Sequence, residues 1–177
     1  YFYGKDMKRS DSFCRIINDK SYKRLVSYLN EGEIIYGGNC DEEERYIQFT
    51  LLDLGQKSEF EVNVMKQEIF GPILPVIEFD NINKVSDFIS NRPKPLALYY
   101  FGNDKNALDL LNKTTSGGVC INDTILHVAN EHLPFGGVGE SGMGKYHSQE
   151  SFLAFSNKRA VLKSSNKIDF AMKYPPY

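Results

Sequence analysis

A glycine-rich segment at residues 134–148, PFGGVGESGMGKYHS, has the residue types and spacing of two phosphate-binding motifs. The stretch GVGESG, residues 137–142, matches G-x-G-x-x-G, with which a βαβ unit binds the pyrophosphate of a dinucleotide. The overlapping stretch GESGMGK, residues 139–145, matches most of G-x-x-x-x-G-K-[ST], which cradles the phosphates of ATP or GTP. Because each motif requires a different strand and helix around it, the flanking residues decide between them.

Those flanking residues favour neither motif. A phosphate loop follows a buried strand and needs Ser or Thr after its lysine, whereas here ANEHLPF precedes the loop and Tyr146 follows Lys145. A dinucleotide motif needs an acidic residue about 20 residues on, where this sequence is basic. A third interpretation is a set of tight turns that fix Phe135 as an aromatic wall of a substrate pocket. Nucleotide triphosphate binding is kept as an alternative, which predicts Mg²⁺-dependent affinity that Lys145→Ala abolishes.

Composition gives broad limits on the function. The 177 residues are 41% hydrophobic and 25% charged, with a net charge of -2, which is typical of a globular protein and gives no indication of nucleic-acid binding. Apolar runs are far shorter than the roughly 20 residues that span a bilayer, and no signal peptide is visible, so we predict a soluble, cytoplasmic protein. The start, YFYGKDMKRS, lacks an initiator Met, and we expect the chain to be a piece of a longer protein.

Cysteine and histidine residues give no pattern for metal binding or disulfides. The three cysteines are Cys14, Cys40 and Cys120. They form no C-x-x-C motif, which indicates reduced intracellular thiols with structural or incidental roles. The three histidines are His127, His132 and His147. They lack metal-ligand spacing, so we predict no metal and interpret them as satisfied loop residues.

The elements that position these residues are predicted from apolar periodicity. An amphipathic helix at 19–30, capped by Asn18 or Asp19, precedes a strand at 33–38 and a half-buried strand at 45–54 with Ile47, Phe49 and Leu51 on one face. Short apolar strands at 73–79, 96–101 and 117–122 then alternate with helices at 80–92 and 103–114, the second of which is capped by Asn103. This alternation predicts an α/β fold with a parallel sheet built from two right-handed βαβ units.

The regular pattern stops after Asn122 for about 20 residues, a length typical of a ligand-binding loop at the carboxyl ends of parallel strands. Asn122 itself is interpreted as a turn residue that hydrogen bonds to backbone. A helix at 148–155 and a basic strand, KRAVLKS, at 158–164 follow.

Four segments in order carry a resemblance to a known family: KQEIFGPILPV, RPKPLALYYF, SGGVCIND and PFGGVGESGMGKYH. On these, the sequence resembles the C-terminal part of an aldehyde dehydrogenase, and is most similar to the class 3 branch that includes the fatty aldehyde dehydrogenases. The resemblance covers essentially the whole chain. It implies that residues 1–156 form the C-terminal part of the catalytic domain and that 157–177 form an oligomerisation strand and tail.

The resemblance also implies site residues. Glu68 of EIFGP would accept hydrogen bonds from the nicotinamide ribose hydroxyls of NAD or NADP, and Phe70 would pack beside the nicotinamide ring. Phe135 would line the aldehyde tunnel, and residues 124–133 would form part of its mouth. A carboxylate suits the first role because it accepts from both hydroxyls.

The family's catalytic residues are expected upstream of this chain. Its cysteine nucleophile forms a thiohemiacetal and then a thioester, but none of the three cysteines here has the matching context. The general-base glutamate and the N-terminal Rossmann half are also missing. The resemblance therefore implies a segment of an NAD(P)⁺-dependent aldehyde dehydrogenase that oxidises aldehydes to carboxylic acids, with no catalytic residue in this chain and no activity of the chain alone.

Assembly is expected from the end of the chain. The strand at 158–164 resembles one that joins a bridging sheet, so we predict a homodimer of the parent protein, and a membrane anchor in a longer parent stays open. The rival hypothesis is a non-catalytic scaffold or interaction module with the same fold. Residues upstream of Tyr1 would discriminate between the two, since only the enzyme needs a nucleophilic cysteine and a dinucleotide-binding half there.

Overall fold

The computed structural model describes residues 2–4, 6–57, 61–165 and 167–176. Parts of the predicted oligomerisation tail, Asn166 and Tyr177, therefore lie outside the described residues. The chain divides into two compact units, Tyr1–Lys84 and Val85–Tyr177. We describe each unit by itself.

Helix α1, Asp19–Tyr28, is the main helix of the first unit. Its cap is the predicted Asn18, whose side chain accepts a hydrogen bond from the Ser21 backbone N–H at 2.8 Å. Such a cap satisfies one of the donors that the first turn leaves without a helical partner. The apolar stripe of α1 is buried as its spacing predicts, with Leu25 fully inaccessible.

The described residues of the first unit form five short strands. They are β1, Glu33–Tyr36; β2, Cys40–Asp41; β3, Tyr46–Ile47; β4, Thr50–Asp53; and β5, Ile73–Val76. Strand β4 lies between β1, to which it is antiparallel, and β5, to which it is parallel. Strands β2 and β3 form an antiparallel pair. Helix α1 and the inner face of this sheet enclose the core of the unit, which includes Leu25, Ile47, Leu52, Leu54, Val64 and Ile73.

The prediction of one strand at 45–54 with Phe49 and Leu51 inward was wrong. The strand is interrupted at residues 48–49, between β3 and β4, and Phe49 is exposed. The buried alternating positions are Thr50, Leu52 and Leu54. Thr50 tolerates complete burial because its hydroxyl donates to the Gln48 carbonyl at 2.8 Å and accepts from the Gly38 N–H at 3.0 Å. A one-residue change of register exchanges the two faces of a strand, and here the polar Thr50 lies on the inner face.

Among the described residues, two longer helices and two strands form the framework of the second unit. Helix α2, Ile82–Ser90, begins before the boundary and is followed by β6, Ala97–Tyr100; α3, Asp104–Lys113; and β7, Gly118–Ile121. Short helices α4, Leu126–Ala129, and α5, Ser148–Ala154, follow. Asn103 caps α3 as predicted, accepting from the Asn106 N–H at 3.0 Å.

One of the two predicted βαβ units is confirmed. Strands β6 and β7 are parallel and in continuous register, from Ala97 opposite Gly118 to Tyr100 opposite Ile121, with α3 between them in the sequence. The other predicted unit, through α2, was wrong, because β5 pairs with β4 whereas β6 pairs with β7. The α/β fold class itself is confirmed.

The predicted strand at 158–164 does not form in this chain. Residues 157–165 are all described, and they carry neither helix nor strand, with Val161 and Leu162 strongly exposed. A strand needs a hydrogen-bonded neighbour, and the part of the chain that the structure describes supplies none to that segment. Within the described ranges, no helix has both the length and the apolar character required to cross a bilayer.

Candidate functional site

The EIFGP segment forms a loop that leads into β5. It follows a 3₁₀ turn at Asn63–Met65, and its residues 68–70 have no regular secondary structure. Glu68 and Phe70 are both exposed, whereas Ile69 between them packs against the core. The two side chains to which the sequence assigns a cofactor role therefore share the outer side of one loop.

Phe70 has a strained backbone and an unusual environment for an aromatic residue. Its φ is +51°, a left-handed value that costs a non-glycine residue about 1–2 kcal/mol. Its ring is 78% exposed, although burial of an aromatic ring is favourable. The neighbouring Gly71 lies against helix α1, where an added Cβ would be 2.5 Å from the Leu25 side chain. The loop is thus held tightly on its inner side while it presents Phe70 outward.

Polar groups of α1 hold the same loop. The Arg24 guanidinium donates to the Ile69 carbonyl at 2.8 Å and to the Glu68 carbonyl at 3.4 Å. It also donates to the hydroxyl of Tyr28 at 3.0 Å, and that hydroxyl accepts a bond from the Gln67 amide at 2.9 Å. Three consecutive loop residues are therefore connected to one turn of α1.

Phe135 lies in the second unit, within a cluster of aromatic rings. Its backbone exchanges both hydrogen bonds with Tyr146, at 3.0 and 2.9 Å, as an isolated antiparallel bridge. Its half-buried ring has centroid distances of 5.4 Å to His127, 5.7 Å to Tyr146 and 6.2 Å to His147. Turns lie on both sides of this bridge residue, since the Leu133 N–H donates to the Asn130 carbonyl at 3.1 Å and the Gly142 N–H donates to the Gly139 carbonyl at 3.3 Å.

His127 is a residue whose environment the sequence did not reveal. It is buried against β7, its Nδ1 is 3.2 Å from the Cys120 Sγ, and its ring lies over Gly118, where no side chain intervenes. Its Nε2 has no hydrogen-bond partner among the described residues, so the interpretation as a satisfied loop histidine was wrong for His127. For His147 that interpretation is confirmed, because its Nδ1 is 3.1 Å from the Leu133 carbonyl.

The glycine-rich segment packs against the start of β7. An added Cβ at Gly117 would collide with the backbone of Gly136 and Gly137. The two backbone segments therefore lie in direct contact, with no side chain between them. The Lys145 ammonium donates to the Gly117 carbonyl at 2.6 Å and to the Gly136 carbonyl at 2.5 Å. Since Lys145 is engaged by backbone and no strand leads directly into the segment, this geometry does not favour phosphate binding.

The loop after β7 begins with a residue that closes the strand pair. Asn122 accepts from the Gly102 N–H at 2.8 Å and donates to the Gly102 carbonyl at 3.0 Å, which confirms its interpretation as a turn residue. Ile125, three residues on, has a φ of +65°, a genuine outlier for a β-branched residue. Backbone strain has no signature in composition or periodicity, so sequence reasoning could not have found it.

Thiols and ionised clusters lie elsewhere. Cys14 and Cys40 are exposed and Cys120 is buried. Although the Cys40 residue as a whole is exposed, partial burial of its own sulfur raises the pKa of Cys40. Among the described residues, no group of three or more potential ligands is arranged for a metal ion. A hydrogen bond from Lys8 lowers the pKa values of Asp41 and Glu44, in the first unit.

Known proteins are similar to this chain in sequence and in fold. Residues 3–161 match the aldehyde dehydrogenase family. Aldehyde dehydrogenase family 3 member A2 of Macaca fascicularis is 45% identical, over 99% of this chain and 36% of its own length. A Mus musculus relative named "Aldehyde dehydrogenase, dimeric NADP-preferring" is 43% identical, over 99% of this chain and 39% of its own. The substrate-bound state of Staphylococcus aureus AldH superposes with a TM-score of 0.81 and 43% identity, over 99% of this chain and 38% of that one.

Proposed function

Because this chain belongs to the aldehyde dehydrogenase family, we propose that it is a segment of an NAD(P)⁺-dependent enzyme that oxidises aldehydes to carboxylic acids. The chain spans less than two fifths of the relatives it matches, so the rest of the catalytic machinery belongs to other parts of the protein. The segment contributes a contact to the nicotinamide ribose and part of the aldehyde tunnel.

The observation that carries this proposal is the outward side of the EIFGP loop. The Glu68 side chain is exposed and has no hydrogen-bond partner among the described residues, so both carboxylate oxygens remain available to accept from hydroxyl groups. Phe70 next to it offers an exposed ring of the size that packs on a flat heterocycle. These two residues fit a nicotinamide riboside, and the bound cofactor would supply the oxidising equivalent for the aldehyde.

The aldehyde side of the proposal rests on Phe135. Its ring is held by the Tyr146 bridge on the backbone side and by neighbouring rings on its edges, which suits a fixed apolar wall. Pocket walls of this kind orient apolar substrates through shape, whereas a few polar groups fix the reacting end.

The isolated chain is proposed to be inactive. A nucleophilic cysteine needs an accessible thiol in an activating environment. Cys120 is buried, and partial burial of its sulfur raises the pKa of Cys40, which disfavours the Cys40 thiolate. Cys14 is exposed, but its segment DSFCRI does not match the sequence context of the family's nucleophile. The nucleophile that forms the thiohemiacetal and thioester is therefore assigned to the rest of the protein.

Steady-state kinetics of the full-length protein and of three variants test the proposal. We expect the wild type to reduce NAD⁺ or NADP⁺ in the presence of an aldehyde, and Glu68→Gln to raise KM for the cofactor about tenfold, because a charged acceptor contributes roughly 1.5–3 kcal/mol to a hydrogen bond. Phe135→Ala should raise KM for apolar aldehydes. Glu78→Gln, an exposed glutamate of the same unit, is the matched control and should match the wild type.

Two outcomes would contradict the proposal. A full-length protein that reduces neither cofactor with any aldehyde would support the non-catalytic scaffold instead. Reduction of the cofactor by the purified 177-residue chain would refute the assignment of the nucleophile to another part of the protein.

Residues 157–177 are proposed as an oligomerisation segment of the parent. Val161 and Leu162 are 79% and 91% exposed, a costly arrangement for side chains that no partner covers. The Mus musculus relative carries "dimeric" in its name, which supports a homodimer. Light scattering should give the mass of a dimer for the full-length protein and a lower mass when Leu162→Glu is introduced.

A further inference from the structure

We propose that Arg24 is a positioning residue for the cofactor contact, acting through the backbone of the EIFGP loop. The inference rests on the proposed function of Glu68 and goes one step further, because Arg24 lies on helix α1, more than 40 positions from that loop in sequence.

The loop needs support from outside itself. Residues 68–70 belong to neither helix nor strand, and Phe70 is held at a φ of +51°. A strained conformation persists only where the surroundings overdetermine it. Tertiary contacts to the loop backbone are therefore required to keep Glu68 and Phe70 in place.

Arg24 provides contacts of the appropriate geometry. A guanidinium presents several donors in one rigid plane, and here two of its nitrogens reach the consecutive carbonyls of Glu68 and Ile69. Fixing both carbonyls sets the orientation of the two peptide planes on either side of Ile69. These planes adjoin the Cα atoms of Glu68 and Phe70 and so help to fix the directions of the two side chains. A lysine ammonium is a single point donor and would fix these planes less completely.

The Arg24 side chain is itself held in place. Its guanidinium carbon lies 5.4 Å from the centroid of the Tyr28 ring, and it donates to the Tyr28 hydroxyl, which also accepts from Gln67. Tyr28 is only 2% exposed, so its ring is a fixed platform. Beneath the loop, Gly71 allows close contact with Leu25, and the whole loop thus rests on one face of α1.

The test compares Arg24→Met with Lys20→Met in the full-length protein. Lys20 is an exposed cation one turn earlier on α1 and serves as the matched control. In methyl NMR spectra of the cofactor-free protein, we expect Arg24→Met to lower the order parameter of the Ile69 δ1 methyl, while the methyl of Ile73, in β5, is unchanged. Lys20→Met should alter neither methyl.

Cofactor affinity provides the second measurement. In direct titration with NAD⁺ or NADP⁺, Arg24→Met should raise Kd about tenfold, and Arg24→Lys should fall between Arg24→Met and the wild type. If Arg24 acts through Glu68, adding Arg24→Met to Glu68→Gln should raise Kd much less than it does in the wild type. Should Arg24→Met fail to fold, Tyr28→Phe removes the shared hydroxyl with the ring retained and should raise Kd severalfold.

Failure of this inference is distinguishable from failure of the proposed function. If the wild type oxidises aldehydes and Glu68→Gln weakens the cofactor, but the Arg24 and Tyr28 variants bind it as tightly as the wild type, Arg24 is not a positioning residue. Full additivity of Arg24→Met and Glu68→Gln would overturn the route through Glu68. A wild type without aldehyde oxidation would instead refute the proposed function.

Discussion

Asn122 combines two contributions to stability that substitutions can separate. Its side chain forms two hydrogen bonds to Gly102, and its φ is +58°. We expect Asn122→Gly to lower the free energy of unfolding by about 1–2 kcal/mol, because the hydrogen bonds are lost and glycine loses more backbone freedom on folding, although it adopts the left-handed conformation without strain. Asn122→Ala should lower it by roughly 2–3 kcal/mol, since alanine adds the cost of a left-handed backbone. Urea unfolding measures both, and equal losses would show that the backbone conformation contributes nothing.

Lys145 gives a second prediction for a single residue. Its ammonium donates to the carbonyls of Gly117 and Gly136, so Lys145→Met should reduce the free energy of unfolding by about 1–3 kcal/mol. Lys158→Met, in an exposed segment, is the control and should have little effect. Calorimetric titration with Mg²⁺ and ATP or GTP should show no binding to the wild type. Measurable binding that Lys145→Ala removes would restore the phosphate-loop alternative.

The residues of the candidate site differ in how far sequence could reveal them. Glu68, Phe70 and Phe135 lie in sequence motifs that resemble those of a known family, and their roles remain predictions that the kinetic experiments test. The proposed role of Arg24 could not be predicted from sequence motifs, because its position on an amphipathic helix does not distinguish it from other surface cations. The role depends on a contact with a loop that is distant in sequence. His127 escapes for the same reason, since its burial against Cys120 follows from the tertiary fold.

At the scale of elements, an ionic cluster connects the 3₁₀ turn at Met7–Arg9 to the β2–β3 pair. Lys8 contacts Asp41 at 2.6 Å and Glu44 at 3.1 Å, which lowers the pKa values of both carboxyl groups. A lowered pKa stabilises the fold above the ordinary values of 3.8 and 4.5, and this stabilisation disappears as the pH falls through the folded pKa values. Stability should therefore decline as the pH falls below about 5 and through the lowered pKa values of the two carboxyl groups.

The Lys8→Met variant tests the origin of that decline. Without its cation, the two carboxyl groups titrate closer to their ordinary values, so the melting temperature should fall less steeply with acid than in the wild type. Lys23→Met removes a more exposed ion pair with Glu42 and should leave the slope unchanged. Identical slopes for Lys8→Met and the wild type would place the acid sensitivity elsewhere.

The elements also show what local sequence determines. The α1 and α3 helices and their caps, Asn18 and Asn103, follow from short-range spacing and side-chain-to-backbone bonds, and these predictions are confirmed. The inner face of β4 could not be predicted in this way. Thr50 is buried there because its hydroxyl is hydrogen bonded, and the alternation of apolar residues carries no information about that bond. The predicted strand at 158–164 is not formed among the described residues, because strand formation depends on a hydrogen-bonded neighbour that local sequence does not specify.

At the scale of the whole molecule, burial is distributed unevenly between the two units. The buried hydrophobic cluster consists of residues of the first unit, whereas the described residues of the second unit contribute Ala107, Leu110 and Cys120 as buried hydrophobic residues. Since burial of apolar surface is the dominant favourable term in folding, the second unit has less intrinsic stability. We therefore expect the second unit to rely more strongly on contacts with the rest of the parent protein.

Hydrogen exchange of the 177-residue chain tests this difference. Amides of β4 and α1 should be protected about tenfold or more beyond those of β6, β7 and α3, because local opening free energies follow the buried contacts. The same amides of β6 and β7 should gain protection in the full-length protein, and those of β4 should change less. Uniform protection across both units would contradict the prediction.

The contact of Gly117 with Gly136 and Gly137 also has an evolutionary consequence. Every substitution at these positions adds at least a Cβ atom, and neighbouring backbone atoms already occupy the space that this atom would need. The path of this backbone is thereby constrained across descendants of the sequence, while the side chains mounted on it, such as Phe135, remain free to vary. On the proposed role of Phe135 in the aldehyde tunnel, substrate preference would change through the side chains mounted on this glycine framework, while the backbone of the framework stayed the same.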